Sequence, residues 1–180
     1  GSYQHGGFTH GMTRGWPNEG CRAGDDGKKI GRETLQPCTE FIDMAVEKNK
    51  PFYMWYVPLM PHTPHNPPER ILTKYINNHP VSIAKYYAMC EWFDETCGQL
   101  IGYLETKGIR DNTLIVYVSD NGWIQNPTNK RFTARSKQSP YEGGVRQPII
   151  FSWPGKLKAQ DRKELATSLD IFPTILAATG

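Results

Sequence analysis

The stretch Leu114-Ile115-Val116-Tyr117-Val118-Ser119-Asp120-Asn121-Gly122 decides the fold class. Its opening residues are aliphatic, β-branched and aromatic, the composition of a buried strand. It stops abruptly in Ser-Asp-Asn-Gly, which form turns and offer oxygen ligands rather than filling a core. In an open α/β sheet, chemistry collects just beyond the carboxyl ends of the strands. A carboxylate and a side-chain carbonyl adjacent at such an end make half a site for a hard cation such as Ca²⁺ or Mg²⁺. An ordinary strand-to-turn junction has the same composition, so the surrounding chain must decide.

Downstream, a polar connection runs from Trp123 to Gln138 and a second strand is expected over Pro148–Trp153. A final helix is expected with Asp170 as its N-cap, running through Phe172, Ile175 and Leu176 to Gly180. Upstream lies the longest helix, from Val81 to Lys107. Its apolar stripe is Ile83, Tyr86, Cys90, Phe93, Cys97, Ile101 and Leu104, and Gly108 closes it. Asp94 and Glu95 are read as surface acids of that helix.

Before it, the nearly continuous apolar run Phe52–Leu59 reads as a strand buried on both faces. That run breaks into Met60-Pro61-His62-Thr63-Pro64-His65-Asn66-Pro67-Pro68, whose prolines restrict the backbone. A further helix is expected over Thr34–Lys48, ended by Asn49-Lys50-Pro51. Residues 1–33 are Gly-rich and aperiodic and read as an irregular connection. Within it His5 and His10 are read as exposed bystanders, and Asp25-Asp26 between glycines as a tight turn. Alternating helix and strand imply βαβ units, hence an α/β fold with a mainly parallel sheet and helices on both faces.

Length and composition set bounds. With 180 residues the chain suits part or all of one domain, residues 34–180 forming its α/β core portion. Hydrophobic content of 38% and charged content of 22% describe a soluble globular protein. The net charge of +3 comes from interspersed acids and bases and gives no electrostatic case for nucleic acid. No apolar run approaches a membrane span, and no signal peptide is visible at Gly1. Cys21, Cys38, Cys90 and Cys97 show no C-x-x-C spacing, which disfavours zinc ribbons and thioredoxin chemistry. Cys90 and Cys97 stand two turns apart on one helix, roughly 10 Å by helix rise, too far for a disulfide.

Three segments offer chemistry: His62 with His65, Asp120 with Asn121, and Ser136 through Arg146. Lys137 is a compact point charge suited to an anionic oxygen, and Gly143-Gly144 lets backbone pass close to a ligand or a neighbour. A metal, a histidine and a lysine around one point suit an ester whose leaving oxygen gains charge while its anionic head needs neutralising. Chemistry alone therefore points to a hydrolase or transferase acting on an oxyanion. A zinc pair at His62 and His65 is disfavoured by the prolines, which forbid an aligning helix, and by the lack of a third ligand.

Together these segments resemble the type I sulfatases, the formylglycine-dependent, arylsulfatase-like members of the alkaline phosphatase superfamily. Phe52–Pro58 running into Pro61-His62-Thr63-Pro64-His65 looks like that family's histidine segment, and Val118–Gly122 like its metal-binding Asp-Asn segment. Lys137 and Tyr141–Pro148 look like its lysine segment, and Ser168–Thr174 resembles the helix start that usually follows. The order matches, and the likeness covers nearly the whole chain.

The resemblance implies an alkaline-phosphatase-like sandwich, incomplete here, and hydrolysis of organic sulfate esters with one calcium ion. By that analogy Asp120 and Asn121 supply two calcium ligands. His62 protonates the leaving alcohol and Lys137 binds a sulfate oxygen; His65 has no firm counterpart in the family pattern and is read as a residue that shapes the substrate pocket.

One departure is large: no Cys/Ser-x-Pro-x-Arg motif, the source of the formylglycine nucleophile, is present. Ser152-Trp153-Pro154-Gly155-Lys156 carries Lys where Arg is required. Nor does Asp25-Asp26 replace the family's acidic metal-binding pair. The expectation is therefore a portion of a longer sulfatase, inactive alone, whose nucleophile and remaining metal ligands lie elsewhere. The parent would act on a sulfated small molecule or glycan and need a formylglycine-generating enzyme. By family resemblance it would work in the periplasm, outside the cell or in lysosomes. The alternatives are a related phosphodiesterase or phosphonate hydrolase, or a non-catalytic sulfatase-like binding domain.

Overall fold

Helix α1 (Gln36–Glu47) starts and stops for local reasons. Pro37 lies in its first turn, where a missing N–H costs nothing, and the Thr34 hydroxyl oxygen accepts from the Gln36 amide at 2.9 Å. Past Lys48, Asn49 takes a left-handed φ of 49° and the Lys50 amide donates back to the Ala45 carbonyl at 2.9 Å. Ile42 and Ala45 are buried on its inner side. These coordinates are a computed structural model, which describes residues 3–11 and 29–180.

Helices α2 (Glu69–Leu72) and α3 (Val81–Thr106) follow prolines 68 and 80, and Gly108 with a φ of 68° lies just past α3. Neighbours hold α3 from several sides. Toward α1, Asp43 accepts from the Tyr103 hydroxyl at 2.7 Å and from Lys107 at 2.6 Å. Toward α2, Arg70 donates to both Glu95 oxygens at 2.6 and 2.5 Å, while Lys74 and Tyr75 donate to Glu91. Glu95 is thus an ion-pair partner rather than a lone surface acid.

Lining the core are Ala84, Ala88, Met89, Thr96, Leu100 and Leu104. Apart from Leu104, the stripe expected from the sequence is only half-buried. With neighbours on several sides, α3 has no single apolar face, so picking its largest residues finds the flanks. Half of its buried line is small: Ala84, Ala88 and Thr96.

Strands β1 (Ile115–Val118) and β2 (Ile149–Ser152) pair in antiparallel register, Ile115 with Ser152 and Val118 with Ile149. The alternation of elements suggests parallel neighbours, yet this is the only ladder between named strands among the described residues. Between the two strands the chain forms loops and the four-residue helix α4 (Glu142–Val145). Arg110, almost buried, fastens the end of α3 to this pair by donating to the Thr113 carbonyl at 2.9 Å and the Ser152 hydroxyl at 2.5 Å.

Phe52–Leu59 departs from expectation. It is extended but joins no ladder among the described residues, and its burial alternates. Phe52, Met54 and Tyr56 turn inward, Tyr56 donating to the Thr96 hydroxyl of α3 at 2.7 Å. Tyr53, Trp55 and Val57 are 63%, 67% and 61% exposed, so one face is buried and not two. The period of two is strand geometry, which a run apolar at every position conceals. Phe8 stacks over Tyr53 and Trp55 at ring distances of 6.1 and 5.9 Å.

Helix α5 (Ser168–Thr179) is capped by Thr167, not by Asp170. The Thr167 side chain accepts from the Leu169 amide at 3.2 Å, and Asp170, at the third helical position, accepts from the Thr167 amide at 2.7 Å. This is a capping box, and the sequence reading took its second member for the first.

Of the connection expected over residues 1–33, residues 12–28, with Cys21 and Asp25-Asp26, lie outside the described residues. Tyr3–Gly6 forms a 3₁₀ turn, and His10 is exposed as expected, its ring 5.4 Å from that of Phe41. Cys38, Cys90 and Cys97 are free thiols.

Candidate active site

Two loops converge here, and each is fixed by a different device. The first is the proline loop carrying His62 and His65. Arg32, which no sequence motif marks, reaches into it with both terminal nitrogens. One donates to Asn66 Oδ1 at 2.5 Å and the Pro64 carbonyl at 3.3 Å, the other to the carbonyls of Leu59 at 2.7 Å and His62 at 3.1 Å. A single planar fork thus gathers acceptors from both ends of the loop. Burial pushes the Arg32 pKa below its ordinary value. No periodicity marks such a contact. The His62 ring nitrogen Nδ1 stands 2.9 Å from the Thr63 carbonyl. A carbonyl can only accept, so Nδ1 carries the proton in this arrangement and Nε2 is left for chemistry.

The second loop follows β1. The Gly122 amide donates to the Gly144 carbonyl at 2.9 Å, and a Cβ on Gly122 would lie 1.9 Å from the Gly143 carbonyl oxygen. A Cβ on Gly144 would lie 2.4 Å from the carbonyl oxygens of both Ser136 and Ser139. Backbone therefore packs directly on backbone, and only glycine fits. Ser136, fully buried, accepts from the Ile124 amide through its hydroxyl at 2.6 Å. The Asp-Asn-Gly turn and the lysine segment are joined as one block, with Gly143-Gly144 against neighbouring backbone.

Between the two loops lies an open cleft of about 460 Å³. His62 and Thr63 line it from the proline loop, and Lys137 and Gln138 from the lysine segment. Trp123, Lys130, Arg131 and Phe132 complete its walls. The Lys137 ammonium stands 5.7 Å from the centre of the Trp123 ring, a cation–π contact. His62 and Lys137 therefore share one cavity although far apart in sequence. Trp123 directly follows Asp-Asn-Gly, the one signal that could have found it.

His65 lies in an aromatic nest, 5.7 Å from the Tyr86 ring and 6.4 Å from Trp123, rather than in the cleft wall. Its Nε2 is buried without a hydrogen-bond partner. Burial first, then the charge of His62, hold its pKa below the usual histidine value, against an opposing hydrogen bond to the Pro61 backbone.

Asp120 and Asn121 are not among the cleft-lining residues; they precede Trp123 in the same turn. Asp120 is exposed, with Oδ1 accepting the Asn121 amide at 2.9 Å. The Asn121 side-chain nitrogen donates to the Gly122 carbonyl at 3.1 Å, which leaves its oxygen as a ligand. These two hard oxygens suit Ca²⁺ as a partial ligand set. Among the described residues no group of three or more His, Cys, Asp or Glu side chains could enclose a metal ion.

Comparison with known proteins finds sulfatases. A family model described as Sulfatase matches residues 7–180. A sulfatase of Formosa agariphila is 34% identical over 107 residues, 54% of this chain and 19% of that protein. The N-acetylgalactosamine-6-sulfatase of Rattus norvegicus is 29% identical, over 81% of this chain and 28% of that protein. The crystal structure of Ps i-CgsB in complex with k-i-k-neocarrahexaose superposes with a TM-score of 0.68 at 29% identity, covering 85% of this chain and 34% of that one. The chain thus spans between about a fifth and a third of the length of the proteins it matches.

Proposed function

The chain belongs to the sulfatase family, and on that premise we propose that it forms the leaving-group and anion-binding side of a sulfuric ester hydrolase. The observation that carries this reading is the single cleft shared by His62 and Lys137. Lys137 offsets charge on a sulfate oxygen, and its contact with Trp123 orients the ammonium. His62 holds the proton destined for the bridging oxygen on Nε2, while Nδ1 stays engaged with Thr63. Protonation makes the alcohol a better leaving group, and the S–O bond breaks with the electron pair going to that oxygen.

Asp120 and Asn121 would hold a calcium ion with ligands from elsewhere in the parent protein, and that ion would neutralise sulfate charge. A formylglycine, made by a maturation enzyme outside this sequence, would supply the nucleophile. Residues 1–180 are then part of one catalytic domain, and alone they hydrolyse no sulfate ester. Among the described residues no helix is long and apolar enough to cross a membrane. Export to the periplasm, the outside or a lysosome follows from the family reading alone.

The test uses the parent protein, an aryl sulfate with a good leaving group and an alkyl sulfate with a poor one. His62→Ala should lower alkyl sulfate hydrolysis by about 10²–10⁴-fold and aryl sulfate hydrolysis much less, since only the poor leaving group needs the proton. Lys137→Ala should lower both alike. Equal losses on both substrates for His62→Ala would remove His62 from the acid role.

A further inference from the structure

We propose that Lys130 and Arg131 form a second anion subsite in the cleft, selecting substrates that carry another sulfate or a carboxylate beside the ester under attack. The inference rests on the sulfatase reading and deepens it. Its first ground is charge. Lys130, Arg131 and Lys137 all line the cleft and no Asp or Glu does. A sulfate monoester carries one negative charge, which Lys137 meets. Two permanent cations are then in surplus.

Elsewhere some surface cations are paired with carboxylates: Arg70 with Glu95, Lys74 with Glu91, Lys107 with Asp43, Arg146 with Glu142. Among the described residues no ion pair to a carboxylate involves Lys130, Arg131 or Lys137.

The second ground is construction. A solvated basic loop needs no scaffold, yet this one has an elaborate one. Gln125, only 6% exposed, directs its amide nitrogen at the carbonyls of Asn126, Asn129 and Arg131, at 3.0, 2.7 and 3.2 Å. The Asn126 amide donates to the Arg131 carbonyl at 2.9 Å, and the Arg131 amide to Asn129 Oδ1 at 2.8 Å. From α3 the Ser82 hydroxyl lies 2.8 and 2.7 Å from the Asn126 and Pro127 carbonyls. The backbone bearing both cations is thereby fixed before any ligand arrives, which lowers the ordering cost of binding. Its cleft lies within the size range of small-molecule sites. The partner is a sugar or aryl group with at least two anionic substituents, Arg131 suiting a forked contact to one of them.

Calorimetric titration of the parent protein in a His62→Gln background, which suppresses turnover, tests this with galactose 6-sulfate and galactose 2,6-disulfate. The second sulfate should tighten binding about tenfold. That gain should vanish in Lys130→Gln/Arg131→Gln, and the preference should reverse in Lys130→Glu. Equal affinity for the two sugars, or a preference that survives the double variant, would overturn the subsite. Hydrolysis by the His62-containing protein is scored separately. A retained preference without hydrolysis of any sulfate ester sinks the sulfatase reading and leaves the subsite standing; hydrolysis without preference does the reverse.

Discussion

The proline loop and the block that joins the Asp-Asn-Gly turn to the lysine segment flank one cleft and are secured in opposite ways. His62 lines that cleft from the first, Trp123 and Lys137 from the second. Around His62 one remote side chain gathers several carbonyls: Arg32 holds the loop by its guanidinium. Around Asp120 and Lys137 backbone lies on backbone, with Gly122 against Gly143 and Gly144 against Ser136 and Ser139. A side-chain clamp depends on what a residue carries, whereas a backbone seam depends on what it lacks. The clamp can loosen by degrees. The seam has no intermediate setting.

The largest effect should come from the seam. Gly122→Ala puts a methyl 1.9 Å from a carbonyl oxygen that cannot swing aside. It should cost about 3 kcal/mol, the upper range for overpacking, measured by denaturant unfolding of the parent protein. If the same substitution also opens the 59–66 segment to proteolysis, the two loops are one unit and the contrast fails.

Arg32→Ala should cost less, about 1–2 kcal/mol, by removing the charged hydrogen bonds that hold the loop. It should expose 59–66 to proteolysis while the 122–144 seam stays protected. Arg32→Lys should recover only part, because one ammonium cannot reproduce a fork. Full recovery would reduce the clamp to simple charge.

The smallest effect tests where the loops meet. His65 keeps a pKa below the ordinary 6.5, mainly through burial. The unfolded chain takes up a proton near that value while the folded chain resists. Its share of stability is therefore complete above about pH 6.5 and declines as the pH falls below it. His65→Phe should flatten that decline in unfolding measurements made between neutral and mildly acidic pH. An unchanged slope would place the titrating group elsewhere.

Helices α1, α3 and α5 and both strands were legible because their signals are local: apolar periodicity, an Asn or Gly at an end, an aliphatic run cut by turn formers. Of the proposed site residues, only Asp120 and Asn121 follow a strand, β1, while His62 and Lys137 lie in loops that the cleft brings together. What stayed hidden depends on partners distant in sequence. Arg32 shows no pattern until its acceptors are folded beside it. The exposed face of Phe52–Leu59 looks like its buried face, both being apolar. Pairing direction between β1 and β2 is antiparallel, which the composition of neither strand reveals. The capping box was readable from Thr167-Ser168-Leu169-Asp170 and was misassigned, since either polar residue can begin a helix.

Arg32 has one further consequence, concerning time. A nascent chain emerges from its amino end, and contacts can close only once both partners are out. Arg32 precedes every acceptor it grips, across sequence separations of 27 to 34 residues. The histidine loop can thus be locked while β1 is still to be synthesised. The seam needs Gly122 through Gly144 and can close later without help from the clamp. Each wall of the cleft can then form through its own contacts, in the order in which the chain emerges.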